Sequence, residues 1–101
     1  MSSKNKAIRL LGLANRARKL TLGKTATLQS IQSGKTKLLI LATDCSENAK
    51  SKIKSASQKQ KIAIYSLGLK DELGECFGRN EVGIVGIEDD GFANELRKIL
   101  N

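Results

Sequence analysis

Leu20-Thr21-Leu22-Gly23-Lys24-Thr25-Ala26-Thr27-Leu28 is the stretch on which the reading of this chain turns. Leu20 and Leu22 alternate with Thr21, the pattern of a short half-buried strand. A single glycine follows, and from about Thr25 the apolar positions Leu28 and Ile31 fall at helical spacing up to Gly34, placed where a left-handed C-terminal residue belongs. A strand that passes through one glycine into a helix aims free backbone N–H groups and the positive helix end at whatever lies in front, and the natural guest is a phosphate. Arg16, Arg18 and Lys19 stand just before it in sequence and are expected to add to that field.

Working outward, Ala7, Leu10, Leu11, Ala14 and Ala17 recur at three- and four-residue spacings and predict an amphipathic helix over 5–17 with a basic flank. On the other side, Leu38-Leu39-Ile40-Leu41-Ala42 is a continuous apolar run between a helix end and a cap signal, the mark of a strand covered on both faces. Thr43 to Glu47 supply caps for a helix that turns Ala49, Ile53 and Ala56 inward and Lys50, Lys52, Lys54 and Lys59 to water. Ile62–Leu67 predicts a strand, Leu69–Phe77 a short helix closed by Gly78, and Val82–Ile87 another strand. Glu88-Asp89-Asp90 then precede a last helix carrying Phe92, Leu96, Ile99 and Leu100. The alternation predicts an α/β fold: a three-layer α/β/α sandwich with one mixed sheet of about four strands and helices on both faces. At 101 residues it forms a single domain, long enough to bury roughly 65% of the surface of its unfolded chain.

Composition narrows the chemistry. Residues 1–61 hold 14 Lys/Arg against 2 Asp/Glu, and residues 62–101 hold 4 against 8, so the net charge of +8 belongs to the first half. A folded domain with that field suits a polyanion. The two cysteines, Cys45 and Cys76, are too few for a disulfide framework or a four-ligand zinc site, and with no His in the chain no metal or cofactor is expected. The longest apolar runs are far short of a membrane span or a signal-peptide core, so a cytoplasmic protein without membrane contact is expected.

Gly-Lys-Thr occurs at Gly23-Lys24-Thr25 and again at Gly34-Lys35-Thr36, but the glycine that a phosphate-wrapping nucleotide loop needs five positions earlier is replaced by Arg18 and Gln29. Neither is a nucleotide loop. Without His there is no ordinary general base and no Ser-His or Cys-His pair, so the chain is not read as an enzyme. Cys45, between a strand end and a helix start, is the one nucleophile worth weighing; the neighbouring Asp44 argues for an inert, half-buried thiol. Tyr65, Phe77 and Phe92 are the only aromatics, too few for a platform on which single-stranded bases stack. Nucleic-acid recognition is left to a helix start and loops engaging a folded RNA or a duplex backbone.

Gly23 at a helix start, Gly34-Lys35-Thr36-Lys37-Leu38-Leu39-Ile40-Leu41-Ala42-Thr43-Asp44, Leu73-Gly74-Glu75-Cys76-Phe77-Gly78 and the Val82–Ile87 strand together resemble the L-seven-Ae/L-thirty-e family of ribosomal and kink-turn RNA-binding proteins, within it the small bacterial YlxQ-like branch. The likeness runs over roughly residues 5–100. It implies non-enzymatic binding of structured RNA, ribosomal or containing a kink-turn, by a ribosomal or ribosome-associated monomer with ribosomal proteins as further partners. In the family the helix start carries Gly-x-Asn-Glu, which reads sheared G·A pairs, and a Lys three residues later. Here Gly23 is kept, while Thr25, Ala26 and Gln29 stand at the Asn, Glu and Lys positions. The family's second contact loop maps to Gly78-Arg79-Asn80-Glu81-Val82. The expected RNA contacts are therefore Arg16, Arg18, Lys19, Lys24, Lys35 and Lys37 to phosphate, Gly23 at the helix start, and Thr25, Gln29, Arg79 and Val82 on the base side. A rival reading makes the chain a protein-interaction or ribosome-assembly factor working through Asp71, Glu72, Glu75 and Glu81, with only incidental RNA contact.

Overall fold

The computed structural model describes residues 2–101. Its elements alternate as α1 (Ser3–Arg16), β1 (Leu20–Leu22), α2 (Lys24–Gln32), β2 (Leu38–Leu41), α3 (Glu47–Gln60), β3 (Ile64–Ser66), α4 (Lys70–Cys76), β4 (Ile84–Ile87) and α5 (Asp90–Leu100). The four strands make one mixed sheet in the order β1-β4-β2-β3. β4 lies antiparallel to both β1 and β2, and β2 lies parallel to β3. Every residue of β2 and β4 is buried, as strands covered on both faces require. Helix α1 packs on α5 and α4, and α2 packs on α3, so the three-layer sandwich predicted from sequence is the fold observed.

The core gathers Leu11, Leu38, Leu39, Ile40, Ile53, Leu73, Val85, Ile87 and Leu96 from strands and helices alike. Burial of these side chains, at about 1.5–3 kcal/mol each, is the main stabilising term. The helix starts are capped as polar side chains dictate. Ser2 Oγ accepts the Asn5 N–H at 3.1 Å, Ser46 Oγ that of Ala49 at 3.2 Å, and Asp89 Oδ2 that of Phe92 at 2.9 Å. Asp44, expected among the caps of α3, serves α4 instead: its Oδ1 accepts the Lys70 N–H at 2.8 Å.

Several boundaries differ by one or two residues from the sequence reading, and three of the shifts have a visible cause. α1 begins at Ser3 because Ser2 caps it. β3 is shorter than Ile62–Leu67 because the Ile62 N–H is used by the Ser57 carbonyl, which closes α3. β4 begins at Ile84 because the Val82 N–H bonds the Lys70 carbonyl, outside the ladder.

Candidate nucleic-acid interface

Gly23 adopts φ +90°, ψ 169°, a conformation that favours glycine, and a Cβ there would meet nothing within 4 Å, so the requirement is for backbone freedom rather than space. Its N–H is bonded to the Ile84 carbonyl at 2.8 Å, and its carbonyl accepts the Thr27 N–H at 3.2 Å. No side chain caps α2, and its first turn holds no acid. α2 thus differs from α1, α3 and α5, whose starts are closed by Ser or Asp side chains.

What holds this helix start in place is a three-residue lock. Thr21 Oγ1 and Thr27 Oγ1 are hydrogen-bonded at 2.9 Å across the β1–α2 junction. Gly86 of β4 makes room for them: a Cβ on it would fall 2.5 Å from Thr21 Oγ1 and 3.2 Å from Thr27 Cγ2. Further along α2 a buried relay runs to the far end of the sheet. Ser30 Oγ donates to Glu88 Oε2 at 2.6 Å, so the Thr36 hydroxyl, also at 2.6 Å, donates to Ser30.

Strand register decides which expected site residues share a surface. Leu22 pairs with Val85 and Leu41 with Ile84, which puts Gly23, the Ala42–Ser46 turn, the start of α4 and the Gly78–Gly83 loop at one end of the sheet. Leu20 and Leu38 both pair with Ile87, which puts Lys19, Lys35, Lys37 and Glu88 at the other end. There the Glu88 N–H bonds the Lys19 carbonyl at 2.8 Å, and the Lys37 N–H bonds the Ile87 carbonyl at 2.7 Å. Arg16, Arg18 and Lys19, adjacent to Gly23 in sequence, are thus separated from it by the length of β1, about 13 Å from Lys19. The expected grouping of all these cations around Gly23 is corrected accordingly. Arg16 faces the groove between α1 and α4, beside Glu75 and Cys76. Arg18 holds a left-handed backbone at φ 60° in the turn before β1.

At the Gly23 end, Thr25 is exposed and Lys24 half-buried. Gln29 is exposed one turn further along α2, bordering a shallow groove with Ala26, Lys35 and Glu88. Arg79 is exposed and its N–H bonds the Gly74 carbonyl at 2.8 Å. Gly74 is what lets the loop approach: a Cβ there would lie 2.6 Å from the Asn80 carbonyl oxygen. Val82, expected on the base side, is only 4% exposed and belongs to the core, so its side chain anchors the loop from below instead of facing outward.

Lys70 was not among the expected contacts, yet it lies at this end, its N–H bonded to Asp44. Its aliphatic stem lies 3.7 Å from where a Gly83 Cβ would be, and its Nζ is 3.9 Å from Glu81 Oε2. Nothing in the sequence joins Lys70 to Glu81; the Val82–Lys70 backbone bond does. Cys45 is buried beneath the same end, and burial raises its thiol pKa despite the opposing effect of Lys50 and Lys70; Asp44 and Glu47 add to the rise.

Residues 5–97 match the Ribosomal protein L7Ae/L30e/S12e/Gadd45 family. The chain belongs to that family. It is 34% identical over 98 residues to the RNA-binding protein YlxQ of Enterococcus faecium, covering 97% of this chain and 94% of that one. It is 34% identical to the RNA-binding protein YlxQ of Bacillus subtilis over 92 residues, covering 91% and 92%. The large ribosomal subunit protein eL30 of Yarrowia lipolytica is 37% identical over 93 residues, covering 90% and 85%. Among solved structures, a Bacillus halodurans protein of unknown function superposes with a TM-score of 0.89 at 32% identity, covering 94% of this chain and 96% of that one. The Giardia lamblia 15.5kD RNA binding protein shares the fold, with a TM-score of 0.80 at 17% identity over 99% of this chain and 87% of that one. Among the described residues no helix is long and apolar enough to cross a membrane.

Proposed function

We propose that this chain binds structured RNA without catalysing a reaction on it, gripping the RNA at the Gly23 end of the sheet. The observation that carries the reading is the open start of α2, glycine-led, free of acid and uncapped, while the starts of α1, α3 and α5 are capped by their own side chains. Free N–H groups at a positive helix end, with Lys24 beside them, bind a phosphate oxygen or a base-edge acceptor. Thr25 is exposed in the same first turn, and Arg79 is exposed on the loop that Gly74 admits at this end of the sheet. Two relatives of nearly the same length are themselves named RNA-binding proteins, in keeping with this reading.

RNA with a kink-turn, on the ribosome or in its assembly, is the class of target this site fits best. Its preference for the kink is weaker than an Asn-Glu pair would give. Thr25 retains a hydroxyl, but Ala26 offers a guanine edge no acceptor, and such a contact is worth on the order of 1–3 kcal/mol of discrimination. The protein acts as a monomer in the cytoplasm on this reading. The test is binding to a kink-turn and to a straight duplex of equal length at several salt concentrations. The expected slope of log affinity on log salt corresponds to roughly 3–6 phosphate contacts. Lys24→Ala should weaken both RNAs by similar factors, and binding that is absent or indifferent to salt would overturn the proposal.

A further inference from the structure

Helix α3 carries Lys50, Lys52, Lys54 and Lys59, and Lys61 follows as its C-cap in a left-handed conformation at φ 55°. No acid occurs between Glu47 and Asp71. Lys50 is committed: its Nζ lies 3.7 Å from Glu47 and donates to the Thr43 carbonyl at 3.3 Å. Lys52, Lys54, Lys59 and Lys61 are exposed, and among the described residues none of the four is in an ion pair.

Their disposition around the helix is specific. At about 100° per residue the inward line runs through the buried Ile53 and Ser57, and the exposed Gln60 lies on the same side, where its Nε2 donates to the Ile31 carbonyl and ties α3 to α2. Lys54 falls on one flank of that line, and Lys52 and Lys59 fall on the other. The outermost crest between the flanks is Ser51, Ser55 and Gln58, short, exposed and uncharged. The helix is therefore a neutral hydroxyl-and-amide ridge with cations along both sides.

We infer that this ridge is a second RNA surface, which lies along the shallow minor groove of a duplex arm with its crest against the sugar hydroxyls and its lysines on the two bordering phosphate strands. A-form RNA presents a groove of that kind, wide, shallow and lined by 2′-hydroxyls. The crest has no apolar side chain to enter a membrane or a protein pocket, and no aromatic to stack on a single strand, so the chemistry selects a duplex backbone. α3 starts at the same end of the sheet as Gly23 and packs on α2, so one RNA can meet both surfaces: its distorted element at Gly23, its flanking duplex along α3.

This inference rests on the RNA-binding reading of the Gly23 end, and the experiment separates the two. Two RNAs are compared, one a kink-turn with minimal stems and one with an added flanking duplex arm of about ten base pairs. Each is titrated with the unmodified protein, with Lys52→Gln/Lys54→Gln/Lys59→Gln/Lys61→Gln, with the same four positions changed to Arg, and with Lys24→Ala. The quadruple Gln variant should lose roughly ten-fold or more in affinity for the long RNA near 50 mM salt, lower its log–log salt slope by about 3, and leave the short RNA within about two-fold. The Arg variant should keep the slope, and a flanking DNA duplex should give less than an RNA one. Equal loss on both RNAs, or no change in slope on the long one, would overturn the α3 surface while leaving the Gly23 site standing; loss of neither RNA with Lys24→Ala would count against the Gly23 site and not against α3.

Discussion

Gly86 shows how one missing methyl fixes a helix. Its absent Cβ is the space in which Thr21 and Thr27 bond, and that bond holds the start of α2 over the sheet. Gly86→Ala should lower stability by about 1–3 kcal/mol, seen as a shifted urea midpoint with an unchanged slope, because the hydroxyl pair must part or the strand must move. Cys45 illustrates the opposite situation, a nucleophile whose place in the fold disfavours its reactive thiolate form. Burial holds its thiol above the ordinary range, so little thiolate exists near neutral pH. Alkylation of Cys45 in the folded protein should be slower than that of a free thiol at pH 7 and should accelerate as pH rises towards its raised pKa. Fast alkylation at pH 7 would revive a thiol-dependent activity.

At the level of elements, the start of α2 is where function is expected to be adjustable. Thr25→Asn combined with Ala26→Glu should raise the ratio of kink-turn to straight-duplex affinity about ten-fold or more, since each good base contact contributes on the order of 1–3 kcal/mol. Gly74→Ala should weaken RNA binding by displacing the Arg79–Asn80 backbone that its Cβ would strike, with the core strands left in place. Most of the architecture was legible because its signals are local: the all-apolar β2 run, Gly23 and Gly34 at the two ends of α2, and Ser46 and Asp89 before their helices. The α3 end was less so, because Lys61 takes the left-handed position that a glycine signal would have marked. Around the proposed site, the glycine-led helix start was legible, and the grouping of the cations with it was misread. Arg16 to Lys19 adjoin Gly23 along the chain, but an intervening strand carries them to the opposite end of the sheet. Lys70 and Gly74 gain their roles from the Gly78–Val82 loop folding back on α4, a long-range contact with no sequence pattern.

Across the whole molecule, charge and polarity are sorted by position in the fold. The Gly23 end mixes Lys24, Lys70 and Arg79 with Asp44 and Glu81, whereas the outer face of α3 is cationic without acids of its own beyond Glu47. On the proposed reading, selection of RNA shape belongs to the Gly23 end, and the cations of α3 and of the Arg18, Lys19, Lys35 and Lys37 end add salt-dependent attraction. The most direct test of the central claim is a backbone amide titration by NMR with a kink-turn RNA. The amides of Gly23, Lys24, Thr25 and Ala26 should shift most strongly, joined by Arg79 to Gly83. RNA binding that left those four amides unmoved, with shifts gathered instead around Arg18, Lys19, Lys35 and Lys37, would contradict it.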